Sequence, residues 1–247
     1  MVAHMETLPA LAERLARLFG PLDLLALAVF LAAWLGMSWA IERPGTRRPS
    51  TSILMEDYRR RWMAETARRE MRIFDATLLS TLRGGTGFFA SASLIMIGAV
   101  AAVLGQAERL LGVVRDLAAI EADVLPVWEA KLVVVLVLLV NAFLKFVWSH
   151  RLFGYCAVLM GAMPPPGEAG AGAAINRATL INNAAARSFN RGLRTLYFTL
   201  AALAWLLGPV PLVAATLLTA LMLHRREFRS RSRAVLLEGA GEGRAGP

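Results

Sequence analysis

Three stretches without a charged side chain constrain this sequence more than any other feature. Asp23 and Glu42 bracket 18 uncharged residues, Arg83 and Glu108 bracket 24, and Arg194 and His224 bracket 29. A helix that crosses the hydrocarbon core of a bilayer needs about 20 apolar residues at 1.5 Å each. Hydrophobic residues make up 57% of the chain and charged residues 18%, against roughly 25% charge in ordinary globular proteins. The pattern predicts an all-α, polytopic helical integral membrane protein. Three long spans are expected at about 22–41, 86–105 and 128–150. A C-terminal helical hairpin (195–207 and 211–223), or one long broken span, should follow. Amphipathic cytoplasmic helices complete the reading. In domain terms, residues 1–20 form an N-terminal interfacial helix, 21–233 a single membrane domain and 234–247 a disordered tail.

Charge orients this arrangement. The net +9 is carried by 25 Arg and two Lys, Lys131 and Lys145. Residues 42–85 hold ten Arg against six acids, whereas 106–130 hold two Arg against five. Basic segments stay on the cytoplasmic side, so 42–85 and the Arg-rich tail (Arg225, Arg226, Arg229, Arg231, Arg233) are expected there. The expected location is a bacterial inner membrane, with the N-terminus outside and the C-terminus in the cytoplasm. The basic residues flank spans, so they match anionic lipid headgroups rather than nucleic acid. Cys156 is the only cysteine, which removes intramolecular disulfides and cysteine metal clusters. Acids and arginines early in the chain argue against a cleavable signal.

Residues 7–19 place Leu8, Leu11, Leu15, Leu18 and Phe19 on one face, as an interfacial helix would. The absence of Pro and Gly from Ser52 to Gly84 predicts one long helix, carrying the stripe Met71, Phe74, Leu78 and Leu82. Gly84-Gly85-Thr86-Gly87 is expected to hinge it into the second span. A polar helix over 175–194 should precede the last apolar block. Within that block, Gly208-Pro209-Val210-Pro211 favours a turn, because one helix over 195–223 would measure about 43 Å.

Four stretches carry a resemblance: Lys-Phe-Val-Trp-Ser-His-Arg-Leu-Phe-Gly-Tyr-Cys (145–156), Asn-Arg-Gly-Leu-Arg-Thr-Leu-Tyr-Phe (190–198), Arg-Arg-Glu-Phe-Arg-Ser (225–230) and Thr-Gly-Phe-Phe-Ala-Ser (86–91). In order and spacing, from about 22 to 233, the chain resembles the bacterial membrane family filed as domain of unknown function 599. The resemblance implies a helical inner-membrane protein and carries no catalytic or binding residues with it.

The candidate pathway or binding residues fall in two groups. Asn141, Lys145, His150 and Arg151 follow one another at the end of the third span. Asn141 is expected near the midplane, where a polar side chain is either functional or bonded to a neighbouring helix. Lys145 can snorkel. His150 reads as an interfacial residue, a proton relay or a haem ligand, though a bis-histidine pair would need a second subunit. The second group, Asn183, Arg187, Asn190 and Arg194, recurs at i, i+4, i+7, i+11. Such a face is either solvated, or lines an anion vestibule, or binds lipid phosphate. No enzyme signature, cofactor motif or metal cluster is present in the sequence. Two functions follow as expectations: an oligomeric pore or transporter-like protein for an ion or small solute, or a non-conducting scaffold that docks a partner.

Overall fold

The computed structural model of the chain describes residues 19–45, 48–106 and 125–242. Among them every regular element is a helix. They are α1 (Pro21–Glu42), α2 (Thr51–Arg68), α3 (Ile73–Gly105), α4 (Leu125–Gly161), α5 (Ala171–Leu203), a 3-10 turn (Ala204–Leu207), α6 (Pro209–Phe228) and α7 (Arg231–Glu242). Three helices, α1, α3 and α4 from Pro126 onward, are long and apolar enough to cross a membrane. The expected interfacial helix at 7–19 lies almost wholly outside the described residues, as does most of the acidic 106–130 segment.

α4 is the central post. It packs against α3 on one side and α5 on the other, while α1 lies against α6. Around these contacts the apolar core forms two storeys. One contains Phe30, Val135, Phe198 and Trp205 and occupies the apolar slab. The other, around Met63, Phe153, Cys156 and Ala178, lies where α2 and the ends of α3, α4 and α5 extend beyond it.

The helical hairpin is present. Gly208 adopts φ 125° and ψ 174°, a conformation that side chains strongly disfavour. Pro209 then opens α6, where its missing N–H costs nothing. α6 runs back along α5, so that Arg226 donates to the Tyr197 hydroxyl at 3.1 Å.

Three boundaries differ from the sequence reading. The helix expected from Ser52 to Gly84 breaks at Arg69–Arg72, although no Pro or Gly lies there. The cause is tertiary. Asp75 is fully buried and accepts from Trp62 Nε1 and Arg69 Nη1, both at 2.7 Å, which folds α2 back on α3. The glycine hinge at 84–87 is absent, because α3 runs through it unbroken while packed on α4. The polar helix expected at 175–194 and the following apolar segment are one helix, α5, with no break at Thr195. In addition, α7 runs from Arg231 to Glu242, into the 234–247 stretch expected as a disordered tail. It is tied to α2 and the loop before it by Tyr58 donating to Leu236 O and Arg233 donating to Pro49 O.

Two polar networks bracket the apolar slab. At one end Lys131, 6% exposed, lies 3.3 Å from Asp23 and donates to Trp205 O at 3.1 Å. Trp205 Nε1 in turn donates to Asp23 at 2.6 Å. At the other end, Glu42 receives Arg191 and Arg194. There Glu227 accepts from the Ser52 backbone and hydroxyl, each at 3.1 Å. From Asp23 to Glu42 α1 rises about 29 Å at 1.5 Å per residue, close to the roughly 30 Å of a hydrocarbon core.

Candidate functional site

At the Glu42 end, α1, α4 and α5 enclose a cavity of about 490 Å³. Trp34, Leu35 and Trp39 of α1 give it an apolar wall, and Lys145, Arg191 and Glu42 face it from the polar side. Leu35 and Trp39 are exposed at 60% and 63%, so the cavity opens onto the outer face of α1. Arg43, the residue that ends α1, also lines it, with its guanidinium 4.6 Å from the Trp39 ring centre.

Charge in this cavity is unbalanced. Lys145, Arg191 and Arg43 face the single carboxylate of Glu42. That carboxylate is already shared by two guanidiniums. Arg191 Nε lies 2.9 Å from both of its oxygens, and Arg194, 4% exposed, pairs with it from behind. Lys145 has three N–H donors, and one bonds Asn141 Oδ1 at 2.7 Å. The site therefore holds a half-buried ammonium with donors to spare, next to an apolar wall and under two further cations. Such a set of groups can hold an anion, and its wall admits an anion with an apolar portion.

The structure places the other predicted residues as follows. Asn141 takes its partner from one turn further along its own helix, not from a neighbouring helix. It is half-buried, and the i, i+4 geometry brings Lys145 to it. His150 accepts from Arg83 Nε at 3.1 Å through Nε2, while Nδ1 lies 3.3 Å from Thr86 Oγ1 and from Arg83 O. It joins α3 to α4. Arg151 is exposed and donates to the Tyr155 hydroxyl at 2.9 Å, away from the cavity.

The Asn/Arg stripe on α5 is mixed, buried at its two ends and exposed at Arg187. Asn183 is buried at 5%. Arg187 lies 3.4 Å from Glu56 of α2, and Asn190 donates to Ser52 at 3.4 Å. Arg194 is held by Glu42. α2 and the end of α1 bring partners to Arg187, Asn190 and Arg194, while the buried Asn183 Oδ1 has none among the described residues. Sequence reasoning missed Glu42 and Arg191. Arg191 stands next to Asn190 yet off the stripe's spacing, on the face turned to α1. The signal for Glu42 was its position as the acid closing the first apolar block.

No curated protein and no solved structure matches the chain. The stretches that carry the cavity and the two polar networks nearly all fall inside one family match. The chain belongs to the family described as protein of unknown function, DUF599, whose model matches residues 25–232.

Proposed function

We propose that the protein is a non-enzymatic membrane protein that passes a small anion across a bacterial inner membrane. In this reading identical subunits assemble, and the Lys145 cavity is the vestibule through which the anion enters. The observation that carries it is the uncompensated Lys145 ammonium at the mouth of the apolar slab, beside Arg191 and Arg43. Asn141, one turn deeper on α4 and bonded to Lys145, is the next polar group an entering anion would meet. The anionic headgroups of the surrounding lipid contact the exposed arginines of α6 and the α6–α7 turn, which lie at the same end.

The test uses full-length protein in vesicles, with oligomer state verified. Lys145→Arg retains the charge and is expected to retain flux of chloride or nitrate. Lys145→Met is expected to reduce flux roughly tenfold or more, as the loss of one hydrogen bond to a charged group would. A verified oligomer that passes none of chloride, nitrate, potassium or protons would remove this reading. The scaffold reading would then stand in its place. It has its own support in Met71, Ile73 and Phe74 at the α2–α3 corner, which are 72%, 69% and 67% exposed.

The orientation belongs to the same proposal, with the Glu42 end cytoplasmic because α2 and the α6–α7 turn carry the arginines. Glu168→Cys and Arg229→Cys, each on a Cys156→Ser background, are expected to resist an impermeant maleimide in intact cells. Both should react after permeabilisation. Labelling of either in intact cells would invert the orientation.

A further inference from the structure

Beyond the apolar slab, on the side of α4 away from the Lys145 cavity, α3 and α4 leave a second cleft of about 250 Å³. Its walls come from one face of each helix. Ala76 and Ser80 of α3 stand opposite Ala157 and Gly161 of α4, all four exposed at the surface. Between these small residues the floor is apolar, formed by the buried Leu79 and Phe153. Arg72 and Arg83 stand at its two ends, their backbone positions about 16 Å apart along the axis of α3. No carboxylate is among the residues that line the cleft.

The two arginines are not equivalent. Arg72 is committed to the protein, donating to Met160 O at 2.9 Å and Met163 O at 3.3 Å, and it closes the far end. Arg83 uses only Nε, on His150, and its terminal Nη groups have no acceptor among the described residues. Its guanidinium carbon lies against Gly154 of α4, 4.0 Å from where a Cβ there would stand. Arg83 also precedes by one turn the start of the 86–105 apolar segment, which is the level of lipid headgroups.

We propose that this cleft binds a single-chain anionic amphiphile. A phosphate or carboxylate sits on the free Nη groups of Arg83, where a planar fork gives two parallel hydrogen bonds. The apolar chain runs over Leu79 and Phe153 toward Arg72. The volume of about 250 Å³ suits part of one chain. The site lies on other elements than the Lys145 cavity apart from α4, and it does not depend on conduction. A free fatty acid and the phosphate and one chain of an anionic bilayer lipid share this chemistry, and the experiment separates them.

Purified full-length protein is irradiated with a diazirine-bearing fatty acid, and separately with a diazirine-bearing phosphatidic acid, and the adducts are mapped by mass spectrometry. Adducts are expected on the segments around Ala76–Ser80 or Ala157–Gly161. Arg83→Gln should lower them about tenfold by removing the charged fork, and Ala157→Leu should lower them by filling the trough. Ser80→Leu replaces any variant that fails to elute as a single species. Labelling by the fatty acid alone identifies a soluble ligand, and labelling by the phosphatidic acid identifies a lipid of the bilayer. Adducts absent from both segments with either probe, or unchanged in the variants, would overturn the proposal.

Discussion

Glu42→Gln is expected to lower the thermal midpoint of the detergent-solubilised protein on the order of 10 °C. The carboxylate is the shared counter-charge of Arg191 and Arg194, and Arg194 is 4% exposed. Breaking a buried pair by removing one partner costs about 3–5 kcal/mol, because a charge stays buried without compensation. In a protein of this size each kcal/mol shifts the midpoint about 2–4 °C. The double variant Glu42→Gln with Arg194→Met should recover part of the loss, since the stranded charge goes with it. Failure of the double variant to recover anything would mean that Glu42 acts through Arg191 or through the turn into α2.

The second large effect concerns a single methyl group. Gly192 of α5 faces Phe146 of α4 so closely that an added Cβ would stand 2.6 Å from the ring's nearest carbon and 2.9 Å from the next two. Phe146 has no exposed surface and is confined between Phe89 and Phe189, with ring centres at 5.4 and 5.7 Å. Helix propensity alone would make Gly→Ala stabilising by about 1 kcal/mol. Overpacking a filled core costs about 1–3 kcal/mol, and here the ring has no room to yield. Gly192→Ala is therefore expected to destabilise, by several degrees in the same melt. Gly84→Ala supplies the control, since the space around it is open and propensity should prevail. Phe146→Leu in the Gly192→Ala background should restore stability relative to the single variant if the ring is the obstacle.

Most of the architecture could be read from the chain because its signals are local. Length and lack of charge mark α1, α3 and α4, and Gly208-Pro209 forces the turn that makes α5 and α6 a hairpin. The break at Arg69–Arg72 could not be read. It depends on Asp75, beyond the break, drawing the Trp62 indole and Arg69 from before it onto one carboxylate. The glycines at 84–87 misled for the opposite reason: glycine permits a hinge and does not require one, and packing on α4 keeps α3 straight. The site shows the same limit. Asn183, Arg187, Asn190 and Arg194 do share a face of α5, as their spacing says. Whether that face is open depends on Glu42, Ser52 and Glu56, which reach it from elsewhere in the chain. Lys145 was singled out as a residue that snorkels, and only the fold reveals that two arginines share its cavity.

The two polar networks at the ends of the slab have a consequence for the surrounding lipid. A free helix meets a bilayer of the wrong thickness by tilting. α1 lacks that freedom, because Asp23 is fastened to Lys131 and Trp205 and Glu42 to two arginines of α5. With both ends riveted, adjustment falls on the acyl chains, which must stretch or compress around an apolar girdle about 29 Å tall. Each ångström of mismatch costs a fraction of a kcal/mol. A rigid girdle of this height therefore favours bilayers whose hydrocarbon core is close to it in thickness.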